Sequence, residues 1–227
     1  MKGGIIYELS VWLVPLVIAI VFHEVAHGLV ARRLGDPTAE AKGRLSLNPI
    51  RHIDPFGTIL LPLILALSHA PVFGWAKPVP VNYGRLRNPR RDMVLVALAG
   101  PGMNLVLALA GTALLAATIK VSGGARGGAA ALIAANALNF VLINIFLAVF
   151  NLLPVPPFDG GHVIQGLLPR SLAAPFGKLA RYSLLVFVML LLVLPALSPR
   201  ADVVNRVVSP IVNQIARFLL VIFGIAG

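Results

Sequence analysis

The sequence predicts an all-α polytopic membrane protein, and three observations carry that prediction. Of its 227 residues 58% are hydrophobic and only 12% charged, with a mean hydropathy of +0.91, far from the balance of a soluble domain. The apolar residues gather into several runs close to the ~20 residues that a helix needs to cross about 30 Å of hydrocarbon. The loops between those runs are basic, with 19 Lys and Arg against 8 Asp and Glu and a net charge of +11. These cations are spread over short connections rather than gathered on one face. That is the positive-inside pattern of a cell-membrane protein, so no nucleic-acid partner is expected. The chain has no cysteine, which excludes disulfides and thiolate metal sites. Residues 1–227 read as a single integral membrane domain with little left over for a soluble one.

The first run, "IIYELSVWLVPLVIAIVF", lacks a small-residue cleavage pattern and reads as a retained helix over about residues 5–34. Arg32 and Arg33 mark its cytoplasmic end, and Gly35 suits a C-terminal cap. After a polar, turn-rich segment comes an apolar stretch at 56–73 that contains Pro62, Ser68, His69 and Pro71 and makes a poor simple span. Next, "GWAKPVPVNYGRLRNPRRD" has Pro78 and Pro80, which disfavour helix and favour extended structure. Residues 93–119 form a clear span rich in small side chains that allow close packing. A Gly-rich turn leads into a span at 129–153, and a Leu-rich span follows at about 179–197. The last segment, 203–226, is interrupted by Asn205, Arg206, Asn213, Gln214 and Arg217. It is either an amphipathic surface helix or a weak final span.

Loop charge sets the topology. Residues 31–55 and 77–91 are both strongly basic, whereas the turn at 120–130 holds only Lys120 and Arg126. Both basic loops belong on the cytoplasmic side, so 56–73 is expected to be re-entrant rather than a full crossing.

The chemistry sits at the end of the first helix, in "VFHEVAHGLV". Ionisable side chains at membrane depth are costly and mark function. Positions i and i+4 share a helix face, so His23 and His27 can direct their imidazoles at one metal ion, and Glu24 can reach a water bound to it. This H-E-x-x-H arrangement supplies two neutral ligands, an open position and a carboxylate that takes the water's proton. Zinc, redox-inert and content with nitrogen and oxygen ligands, is the natural occupant. The blander reading, two histidines that only hydrogen-bond inside a bundle, leaves the intramembrane cost uncompensated.

A catalytic zinc wants a third protein ligand. Asp36, Glu40, Asp54, Asp92 and Asp202 lie in polar connections, and Glu8 lies at the far end of the first helix. Asp159 differs, because "NLLPVPPFDGG" puts it just past an apolar span where Pro154, Pro156 and Pro157 break the helix and Gly160 and Gly161 free the backbone. It is either that ligand or a helix-capping Asp in an ordinary loop. His162 reads as an interfacial loop histidine or as an outer partner of Asp159, and nothing in the spacing of His52 or His69 ties them to a metal. Asn136, Asn139 and Asn144 read as interhelical hydrogen-bonding residues.

These motifs resemble the site-2 protease family of intramembrane zinc metalloproteases. The family's H-E-x-x-H appears as His23, Glu24 and His27, its N-x-x-P-x-x-x-x-D-G as Asn151, Pro154, Asp159 and Gly160, and its central-helix signature as Gly100, Pro101 and Asn104. The resemblance spans about residues 20–165. It implies a three-helix catalytic core within about 5–165, flanked by C-terminal helices at about 176–226. It also implies one Zn2+ per chain, held below the cytoplasmic surface by His23, His27 and Asp159, with Glu24 as general base and Asn151 near the substrate or the developing oxyanion. The substrates it implies are transmembrane proteins or peptides in the lipid bilayer, cut in or near their spans. "FGWAKPVPVN" sits where the family has a small membrane-associated β-segment, which could accept substrate backbone by edge pairing. The chain departs from many members in lacking room for a PDZ domain and in its apolar stretch at 56–73. The competing function, a metal-binding transporter or channel, would show internal repeats, and neither motif is duplicated. An inactive, merely binding member would not need Glu24.

Overall fold

The computed structural model describes residues 4–68, 74–124 and 127–226. Six helices organise it: α1 (Ile5–Arg33), α2 (Pro89–Ser122), α3 (Gly128–Asn151), α4 (Asp159–Leu167), α5 (Arg170–Leu197) and α6 (Ser209–Ile222). Residues 10–33 of α1 and the whole of α2, α3 and α5 are long and apolar enough to cross a membrane. The all-α polytopic architecture is therefore as expected.

Local chemistry sets the helix ends. After Arg32, Arg33 and Leu34, Gly35 adopts φ +111°, a left-handed stop that a side chain would resist. Pro89 opens α2, where its missing N–H costs nothing. Asp92 in the first turn accepts the Asn88 amide at 2.8 Å. Gly123 ends α2 in the left-handed region, and α3 stops short of Pro154.

Helices α1, α2 and α3 pack mutually. A Cβ on Gly111 would meet Phe140 and Val141 at 2.9 and 3.0 Å, so the small residue lets α2 and α3 approach closely. Polar pairs join the same helices. Asn139 donates to the Val11 carbonyl at 2.8 Å, and Asn104 donates to Asn144 at 2.8 Å. Asn136 instead bonds its own helix at Leu132. The segment at 203–226 contains a π-helical turn, Val204–Val208, followed by α6. Val208, Val212, Ala216 and Leu219 are buried in a core with Val141 and Ile145, while Phe218 and Ile222 are exposed.

The stretch at 56–73 leaves and comes back. After a π-helical turn, Pro55–Leu60, and a short helix, Leu61–Leu67, the Trp75 amide donates to the Gly57 carbonyl at 3.1 Å. Thr58 Oγ1 donates to the Trp75 carbonyl at 2.8 Å. The two ends of the excursion are thus fastened together, as a re-entrant hairpin requires. Residues 69–73, including His69 and Pro71, lie outside the described residues.

Residues 74–82 are extended, but no strand ladder forms among the described residues, which corrects the expected β-segment. Pro78 and Pro80 remove two of the amides a ladder needs. The segment is instead a strap pinned at Lys77, Val79 and Asn82. Lys77 N donates to His52 O (2.8 Å), Arg44 donates to Lys77 O (2.8 Å), Val79 N to Glu24 (2.7 Å) and Asn82 N to Asp36 (2.6 Å).

Candidate metal centre

His23 and His27 lie on the last turns of α1, both buried. Across from them Gly100 of α2 opens the necessary space. A Cβ there would stand 2.6 Å from His23 Nε2 and overlap His27 Nε2. The outer nitrogen of each ring is engaged. His23 Nδ1 lies 2.6 Å from Asn104 Oδ1, and His27 Nδ1 lies 2.7 Å from the Val96 carbonyl. The amide nitrogen of Asn104 is committed to Asn144 Oδ1 (2.8 Å) and Ala19 O (3.3 Å), which turns its oxygen to His23. Both outer partners are therefore acceptors, so each neutral ring carries its proton on Nδ1 and presents a bare Nε2 inward.

Asp159 arrives from the opposite side. The turn after α3 brings it to the first position of α4, with Phe158 at the N-cap. The sequence suggests that Gly160 and Gly161 provide backbone freedom, yet neither has positive φ. Their role is close approach, since a Cβ on Gly160 would overlap the Leu152 and Leu153 carbonyls and one on Gly161 would lie 2.9 Å from Pro156 N. The tight turn delivers Asp159 Oδ2 to 3.2 Å from His23 Nε2 and 3.3 Å from His27 Nε2, which are themselves 3.0 Å apart.

Oδ2 is buried and has no hydrogen-bond partner. Two bare nitrogens and a carboxylate oxygen converging in a low-dielectric site repel one another unless a cation lies between them. The residues therefore fit a divalent metal ion, and the set of two imidazoles and one carboxylate is one that zinc uses.

Glu24 is half-buried beside the pair, with one oxygen held by the Val79 amide. Asn151, at the end of α3, donates to the Leu147 carbonyl at 2.9 Å. Elsewhere Asp54 caps the turn at Phe56 and Gly57, and His52 bonds the Ser46 carbonyl. Asp36 is fully buried where the strap crosses the end of α1. Burial pushes its carboxyl up, but the Thr38 hydroxyl, the Asn82 and Thr38 amides and the Arg85 charge together hold it below its usual range.

Sequence reasoning missed the carbonyl of Val96, the amide of Val79 and the grip of Asn104 on His23. The first two are backbone groups with no side-chain signature. The third had a signal in the family's central-helix motif, which contains both Gly100 and Asn104.

The fold and this centre define a class: a polytopic membrane protein with a candidate metal-binding constellation shared between a spanning helix and the start of a later short helix. The model of peptidase family M50 matches residues 11–125 and 116–194. The chain is 41% identical over 182 residues to "Putative zinc metalloprotease YwhC" of Bacillus subtilis (strain 168), covering 78% of each. It is 32% identical over 197 residues to "Putative zinc metalloprotease Rip2" of Mycobacterium tuberculosis (strain ATCC 25618 / H37Rv), covering 86% of this chain and 70% of that one. The protein of that name from Mycolicibacterium smegmatis (strain ATCC 700084 / mc(2)155) is 29% identical over a stretch of the same length. No solved structure matches the chain at a significant level. The chain belongs to peptidase family M50.

Proposed function

We propose that this chain is an intramembrane zinc metalloprotease in which His23, His27 and Asp159 hold one Zn2+ and Glu24 is the general base. It works at the cytoplasmic side of the cell membrane on peptide bonds in or near transmembrane segments of other proteins. The observation that carries the reading is the convergence of two bare imidazole nitrogens on a buried carboxylate oxygen that lacks any donor. Membership of a peptidase family supports the reaction type, and the names of the YwhC and Rip2 relatives support the metal. A transporter would leave Glu24, next to the ligand pair, without a task.

When bound, zinc supplies Lewis-acid activation of a water and of the scissile carbonyl. The chain's own groups do the rest. The Val79 amide fixes one oxygen of Glu24 and leaves the other to accept a proton from the attacking water and return it to the leaving amine. Asn104 and Val96 keep both imidazoles in the ligating tautomer. Asn151, with one amide proton given to Leu147, retains a second proton and its oxygen for substrate backbone. The basic loops that hold Arg32, Arg33, Arg87, Arg90 and Arg91 support a cytoplasmic position for this end of α1.

The test is a paired assay of zinc content and cleavage of a model transmembrane substrate. Glu24→Gln should abolish cleavage and retain zinc, whereas Asp159→Ala should lose zinc far more readily than Asp54→Ala. Near-normal cleavage by Glu24→Gln, or equal zinc retention in both Asp variants, would reject these roles.

A further inference from the structure

Tyr83 lies in a short turn, Tyr83–Arg85, laid across the C-terminal end of α1. Two bonds hold it there, Arg87 N to Leu34 O at 3.0 Å and Asn82 N to Asp36 at 2.6 Å. The ring packs in a cluster with Ala31, Leu86 and Val96 and against His162, whose ring centroid is 5.3 Å away. Three of these neighbours triangulate the metal centre. Ala31 is one turn beyond His27 on α1. Val96 is the residue whose carbonyl receives His27 Nδ1. His162 is one turn beyond Asp159 on α4. A helical turn rises only about 5.4 Å, so Tyr83 covers the centre from one turn away.

Its hydroxyl has no hydrogen-bond partner among the described residues, although the residue is half-buried. The hydroxyl is open to solvent rather than buried, so no protein group competes for its proton. Burial, with the negative charge of Asp159 adding to it, pushes the phenol up to about 12, so the group stays a protonated donor at any working pH. His162 is also without a hydrogen bond among the described residues, and its ring contact is with Tyr83. A donor free of protein partners, its ring packed about one turn from a centre that develops negative charge on a carbonyl oxygen during peptide hydrolysis, is placed to serve that charge.

We propose that Tyr83 is a catalytic residue whose hydroxyl donates a hydrogen bond to the carbonyl oxygen of the scissile peptide and to the oxyanion that forms from it, with His162 as the positioning residue for its ring. The proton stays on the phenol throughout, and Tyr83 makes or breaks no covalent bond. The proposal rests on the protease reading above and names the group that stabilises the reacting oxygen.

The zinc-loaded full chain in detergent, given a single-pass transmembrane peptide, tests this with Tyr83→Phe, His162→Ala and the double variant. Glu24→Gln in the same assay secures the protease reading independently. Tyr83→Phe should lose about 10²-fold in kcat, the usual cost of one such donor, with KM within about twofold and zinc retained. His162→Ala should lose less, and nothing more once Tyr83 is already Phe. Should the Phe variant fold poorly, Tyr83→His keeps a ring and a donor and should fold and cleave about tenfold faster than any residual Phe activity. A wild-type kcat in Tyr83→Phe overturns the proposal. So does a loss confined to KM or to zinc content, which would make the residue one of binding or packing.

Discussion

Replacing Asn104 with Ala isolates the hold that α2 keeps on the metal centre. Asn104 is fully buried and makes three contacts: His23 Nδ1 at 2.6 Å, Asn144 Oδ1 at 2.8 Å and Ala19 O at 3.3 Å. The Ala19 carbonyl already serves its own helix, so the other two dominate. Hydrogen bonds between membrane helices average about 0.6 kcal/mol and reach about 1.7, so losing two should cost about 1–3 kcal/mol of stability. For a chain of this size that lowers the thermal midpoint by roughly 2–4 °C per kcal/mol. The effect on the metal is separate. Without its outer partner His23 loses its fixed tautomer and orientation, a change that typically weakens metal binding about 10–100-fold, or about 1.4–2.8 kcal/mol. Competition against a chelator in detergent measures the affinity, and a thermal melt of the zinc-loaded protein measures stability. Asn144→Ala is the control, because it breaks the network one residue further out and leaves His23 paired with Asn104. Wild-type zinc affinity in Asn104→Ala would refute the reasoning, as would an equal loss in Asn144→Ala.

Two further outcomes follow from the geometry. Gly100→Ala should favour helix by about 1 kcal/mol yet expel zinc, because its Cβ would stand 2.6 Å from His23 Nε2, whereas Gly102→Ala, with nothing within 4 Å, should keep zinc; metal stoichiometry after dialysis separates them. Cysteines placed at Lys42 and Arg87 should react with an impermeant thiol reagent from one membrane face and one at Val121, 89% exposed, from the other. Labelling of positions 42 and 87 from opposite faces would reject the re-entrant hairpin.

What the sequence revealed follows from what is local. His23 and His27 are legible because four residues make a helical turn, and Asp159 because the prolines and glycines around it advertise a break in an apolar run. The spans are legible for a similar reason, since hydropathy is additive along the chain. The hairpin at 56–73 could be reached only through charge parity, and its closure by the Gly57 carbonyl is a backbone contact that no residue type encodes. The Val79 grip on Glu24 was hidden in the same way. Pro78 and Pro80 told of extended structure, but not that the single amide between them would bind the Glu24 carboxylate. The glycines after Asp159 were legible as a signal and misread in mechanism, because composition cannot tell a flexible turn from a crowded one.

The division of the metal centre between α1 and the start of α4 has a consequence for how the protein comes into being. His23, Glu24 and His27 emerge early in synthesis, while Asp159 follows only after two more spanning helices have been made. Until then the nascent chain lacks one of the three side chains that converge, and Asn104 and Val96, which face the outer nitrogens of the imidazoles, also come after them. A chain cut off anywhere between residues 28 and 158 would have the H-E-x-x-H signature without the carboxylate that faces it. The converging group is thus assembled only once the third spanning helix and the turn beyond it have been made.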